Sequence, residues 1–258
     1  MDNGKERGYI LKKFHKTEVL FVISYIIAAS IFIYTFLALQ IKIWISYGQN
    51  YCMLDCLHAL EKPYYFGMVF LPMALFGILS GRKVYYYPAF VLKYESTSEI
   101  WNIFWRAVVK RSILLSGIFS IIACFLSGMS SYTVNNWNEQ GTLFYQITKT
   151  VFSGSAVYVI GIFFLFNIIK LCLASAILVF AEWVLGGSMW GIVILTTFGI
   201  IEWVFDDIPI FFNLFSISQI YFKAPECIVG ILLSGCLLLI AVYLIGKKIW
   251  KEKEFYGR

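Results

Sequence analysis

The chain has 258 residues, 60% hydrophobic and 14% charged, with a net charge of +6 and a mean hydropathy of +0.77. Soluble domains are about 45–50% apolar and about 25% charged, so a sizeable soluble domain is excluded. The basic pI of about 8.9 calls for no nucleic-acid partner, because cationic loops facing anionic lipid account for it.

A helix needs about 20 apolar residues to cross a bilayer. Six such runs are read, at 19–45, 64–81, 112–132, 151–180, 189–207 and 228–246. They are continuous rather than alternating, which excludes a closed barrel. The expected fold is an all-α integral membrane protein, a single transmembrane domain over residues 1–258. Residues 1–18, 81–111 and 247–258 hold 16 of the 21 Lys and Arg. Such an excess marks the cytoplasmic side, so both termini are expected in the cytoplasm and the chain in the plasma membrane.

The N-terminal basic stretch and first apolar run have the order of a signal peptide. The run is too long and lacks a small-x-small cleavage site, so it is expected to stay as a span. Tyr9, Ile10, Leu11 and Phe14 alternate with Lys12, Lys13 and Lys16, which suits an interfacial helix or a plain basic tail. Cys52, Cys56 and His58 fall in the first external loop, and Cys227 opens the last span from the same side. An external disulfide among these three cysteines, or free thiols, are the two readings. Two Cys and one His are too few for structural zinc. Gly77-x-x-x-Gly81 and the set Ser116, Gly117, Ser120 permit close helix contact.

Between spans two and three lies an amphipathic segment. Ser96 and Glu99 have capping-box spacing. Ile100, Trp101, Phe104 and Trp105 then recur at helical intervals, followed by Arg106, Lys110 and Arg111. A separate cytoplasmic helix over 96–106 is expected, longer than a turn requires. Lys170 lies within the fourth run, with Asn167 one turn away; an ionisable group at that depth is a functional candidate by default. A tight turn is expected at Gly186-Gly187-Ser188. Glu202 and Asp206, four apart near the external end of the fifth run, form an acidic mouth or an ordinary interface pair. Residues 208–226 are apolar but interrupted by Pro209 and Pro225, which suits a re-entrant or interfacial hairpin, read as a lid or as a lipid-packed loop. The chain has no phosphate-binding loop, no H-E-x-x-H and no nucleophile elbow. No catalytic set, metal site or bound cofactor is expected.

This layout resembles the membrane subunit of type-2 ABC exporters. Locally, Val91-Leu92-Lys93-Tyr94-Glu95-Ser96 through Trp101 is similar to a segment of small permeases encoded beside peptide-antibiotic and peptide-immunity genes. Where that family tends to have Ser-Arg, this chain has Ser96-Thr97-Ser98-Glu99. The resemblance implies a non-catalytic bacterial subunit exporting a peptide or other amphipathic or lipophilic substrate. It implies a separate ATPase partner that holds ATP and Mg, and a second membrane subunit, identical or related. Glu99, Ile100, Trp101, Phe104, Trp105 and Arg106 would form the coupling helix. Lys170, Glu202 and Asp206 would line the substrate path. The rival reading is a membrane immunity or sensor protein that binds a peptide or a membrane partner without transporting it.

Overall fold

The computed structural model describes residues 3–80, 96–185, 188–205 and 209–252. Among them there is no strand, only an isolated bridge between Asn50 and Thr142. The long helices are α1 (Asn3–Ser46), α5 (Thr97–Ser130), α7 (Ala156–Leu185) and α9 (Pro225–Glu252). Each contains a stretch long and apolar enough to cross a membrane. Between α1 and α5 the chain forms α2 (Met53–Leu60), α3 (Pro63–Tyr65), a π-turn (Phe66–Phe70) and α4 (Leu71–Ser80). The α2 and α3–α4 pieces meet at 56°, as one broken span or a re-entrant loop. A short helix, α6 (Leu143–Thr148), precedes α7, and α8 (Ser188–Val204) follows it. The chain is thus a multi-pass, all-α membrane protein, with four such helices among the described residues, or five if the bent pair is one span.

Helix α7 is the centre of the bundle. Of its most apolar stretch 78% is buried, against 22% for α1 and 11% for α9. It packs against α5, α8 and α9, while α1 lies along α5. The outward faces of α1 and α9 carry exposed Ile, Leu and Phe, which lipid tolerates as readily as a protein core does.

Three sequence expectations change here. The helix expected at 96–106 starts where predicted, with the Ser96 hydroxyl accepting from the Glu99 amide at 3.2 Å. It does not stop. It runs unbroken to Ser130, a rod of about 50 Å at 1.5 Å per residue. Arg106, Lys110 and Arg111 break the apolar run but not the helix, because Lys and Arg are good helix formers. Second, the six residues expected to form the coupling helix do not share one exposed face. Ile100, Trp101 and Phe104 are buried, and only Glu99 and Arg106 face out, with Trp105 half-buried. The Trp101 indole donates to the Tyr243 carbonyl at 3.2 Å, and the Tyr243 hydroxyl lies 2.6 Å from Asn102 Oδ1. Gly246 makes room for the ring, since a Cβ there would fall 2.2 Å from Trp101. Third, the "external loop" holding Cys52, Cys56 and His58 is mostly the buried helix α2. The turn at Gly186-Gly187 and the residues Asp206 and Asp207 lie outside the described residues.

Candidate functional site: a buried charge pair beside a buried loop

Lys170 sits near the middle of α7 and is fully buried. A lone ammonium is not stable in such a place, so a counter-charge is required. It is Glu61, in the gap between α2 and α3, also buried, with its Oε2 3.6 Å from Lys170 Nζ. The ammonium also lies 4.0 Å above the centre of the Phe66 ring, a cation–π contact. Phe66 begins the π-turn, so the helix is irregular where the charges meet. Irregular backbone at membrane depth is tolerated only when buried in protein or facing a water-filled space.

The pair is incompletely satisfied. Lys170 Nζ and Glu61 Oε1 have no hydrogen-bond partner, and neither does Asn167 Oδ1. Glu61 Oε2 is shared, because it also accepts from the Ile217 amide. That amide belongs to the 209–218 segment, which is not a surface loop. Phe211, Phe212, Phe215, Ser216 and Ile217 are all buried. Phe212 packs onto Gly67, where a Cβ would come within 3.0 Å of the ring.

Carboxylates from other elements hold this segment in place. Glu202, in the last turn of α8, is fully buried. Its Oε1 accepts from Ile210 at 2.6 Å and from Phe211; its Oε2 accepts from Phe212 at 2.7 Å and Asn213 at 3.2 Å. Those amides open a helix-like turn, where N–H groups otherwise lack partners. Glu202 is therefore not part of an exposed acidic mouth. Asp55 on α2 accepts from Gln219 Nε2 at 2.7 Å, Trp137 Nε1 at 2.9 Å and Cys52 N at 2.9 Å. His58 Nδ1 bonds the Ile217 carbonyl oxygen. The cap is completed by Trp137 stacked on Phe144 at 4.4 Å, with Phe152 and Phe222 edge-on.

All six cysteines are free thiols. Cys52 and Cys56 are buried in the cap, and Cys227 is exposed. Burial and the neighbouring Asp55 carboxylate push the Cys52 thiol up to about 12.

A cleft of about 970 Å³ lies between α1, α4 and α5, lined by Phe21, Tyr25, Met73, Phe76 and Leu115 among others. An ion pair between Glu18 and Arg111 stands at its border. The volume is at the upper end of small-molecule sites.

Of the residues singled out from sequence, Lys170 lies at the charge pair and Glu202 anchors the segment above it. Glu99 and Arg106 lie apart, at the exposed start of α5. Sequence reasoning missed Glu61 and Asp55. A signal was present: Lys170 demanded a buried acid, and Asp55, His58 and Glu61 recur every three residues in an otherwise apolar stretch. No known protein family, characterised protein or solved structure matches the chain.

Proposed function

We propose that this chain is the membrane subunit of an ATP-driven exporter of the type-2 ABC class. It would move a peptide or another amphipathic or lipophilic substrate, powered by a separate ATPase subunit. The observation that carries the reading is α5. At about 50 Å it exceeds the roughly 30 Å hydrocarbon core, so its basic end projects. Glu99, Arg106 and Lys110 form one exposed charged stripe there, while the opposite face is fastened to α9 through Trp101 and Tyr243. The same rod continues to the buried serines that face α7 beside Lys170. A push on the stripe is thereby delivered to the charge pair without a flexible joint.

In this reading the bent α2–α4 pair and the 17-residue α8 count as spans, giving six with both termini cytoplasmic in a bacterial plasma membrane. Two copies, or this chain and a relative, stand side by side with two ATPases beneath. The cleft between α1, α4 and α5 admits the substrate from the inner leaflet. The 209–218 segment is the outer gate above Lys170–Glu61. ATP and Mg belong to the ATPase.

The test is the charge-reversed pair Glu99→Lys with Arg106→Glu, both on exposed side chains. The variant should keep its melting temperature but lose co-purification of the ATPase and stimulation of its hydrolysis. Unchanged co-purification and hydrolysis would remove the docking role. Purification of the wild-type chain with no ATPase from its own host would favour the immunity or sensor reading.

A further inference from the structure

Helix α5 carries buried serines at 112, 116, 120 and 127, spaced by four, four and seven residues and so on one face. In apolar helices a serine hydroxyl usually bonds back to the carbonyl four residues earlier. This chain does so at Ser30, Ser131 and Ser175. Ser120 Oγ and Ser127 Oγ do not, and neither finds any partner.

The unpaired atoms have an order. Toward the basic end of α5 the seam is closed, with Ser112 Oγ 3.2 Å from Ser175 Oγ and Ser116 donating to the Asn167 carbonyl at 3.0 Å. Around Asn167 and Lys170, and outward along α5 from Ser120, the hydrogen bonding fails. Asn167 Oδ1, Glu61 Oε1, Ser120 Oγ, Ser127 Oγ, Gln219 Oε1 and Asn136 Oδ1 are all buried without a hydrogen-bond partner, and Lys170 Nζ, though paired with Glu61 and set over Phe66, makes no hydrogen bond either. The far end approaches the surface, where Asn136 Nδ2 donates at 3.4 Å to Asn50 Oδ1 of an exposed residue.

Unpartnered buried polar atoms are rare, because each forfeits the hydrogen bonds it would make with water. A donor-only ammonium cannot satisfy every acceptor here, but water both donates and accepts, and it occupies buried sites offering two to four polar partners. We infer that water enters from the Asn50–Asn136 side as a file, reaches Lys170 and Glu61, and ends at the paired Ser112, Ser116 and Ser175. Such a path is a blind half-channel, hydrated from one face and sealed toward the basic face. This inference stands on the polar atoms and does not depend on an ATPase partner.

Radiolytic hydroxyl-radical footprinting of the full chain in lipid nanodiscs, in ¹⁸O water, tests it. Phe66, beneath the Lys170 ammonium, and Phe119, which packs against Phe66, have no exposed surface. With water in the seam both rings take up ¹⁸O, and uptake falls severalfold in Ser120→Ala/Asn167→Leu. Uptake at Phe66 and Phe119 no greater in the wild type than in that variant overturns the inference. Should the double variant fold poorly, Ser120→Ala alone decides by melting temperature. In a dry seam it removes an unpaired hydroxyl and raises stability. In a hydrated one it removes a water partner and lowers it.

Discussion

Glu202 and Glu61 are both buried carboxylates that accept from the backbone of the same segment, yet they are built differently. Each oxygen of Glu202 takes two amide N–H groups, so the carboxylate is fully hydrogen-bonded. Glu61 has one oxygen shared between Lys170 and the Ile217 amide and the other unpaired. The first arrangement fixes a structure. The second keeps a charge available, and it lies where a helix is broken, a π-turn intervenes and unpaired polar atoms gather. Buried ion pairs are poor stabilisers relative to apolar replacements of similar volume. We propose that the Lys170–Glu61 pair serves function and Glu202 serves architecture.

The comparison breaks most severely at Glu202. Glu202→Ala strands four backbone donors, and a stability loss of about 3–5 kcal/mol is expected from the magnitude for uncompensated buried partners. Thermal unfolding in detergent measures it. A loss below about 1 kcal/mol would mean that the segment is held by its phenylalanines instead.

The charge pair gives the next effect. Lys170→Met or Glu61→Gln alone should each destabilise by about 2–4 kcal/mol, since each disturbs a buried charge compensation. The double variant should recover most of the loss, because the coupling in a double-mutant cycle should cancel the larger part of the two single losses. Additive losses would show that the two groups do not sense each other.

A smaller effect is expected at the start of α5. Tyr243→Phe loses the hydroxyl contact with Asn102 but keeps the ring, at a cost of about 1 kcal/mol. Its interest lies in transmission: if α5 and α9 move as one lever, ATPase stimulation falls more than stability does.

The smallest involves thiols. At pH 8 a maleimide should label exposed Cys227 and leave Cys52 unreacted, because the Cys52 thiol, pushed up to about 12 by burial and by Asp55, holds almost no thiolate at that pH. Above the folded value the thiolate would form, so reactivity should rise only in strong alkali. Labelling of Cys52 at pH 8 would mean that the aromatic cap opens readily.

Much of the architecture was legible because hydropathy is local. The apolar runs, the Ser96 cap and the depth of Lys170 all follow from residues within a few turns of one another. The partners were not legible, because they are set by tertiary contact. Lys170 meets Glu61 across more than a hundred residues, and Asp55 meets Gln219 at a separation of 164. Glu61 and Asp55 stand in a stretch whose charges and short apolar runs read as loop, and only packing shows that it is buried. Glu202 was noticed for its charge, but its role depends on a turn at 210–213 that the flanking prolines did not specify. The separate 96–106 helix failed for a different reason. Hydropathy divides α5 at Arg106, Lys110 and Arg111, whereas helix propensity carries straight through them.

The most direct measurement is the Lys170→Met/Glu61→Gln variant, purified with the ATPase proposed as its partner and assayed for both melting temperature and substrate-stimulated ATP hydrolysis. A chain whose buried pair serves function rather than stability should melt within a few degrees of wild type and lose the stimulation. Retained stimulation in a well-folded variant would contradict that assignment.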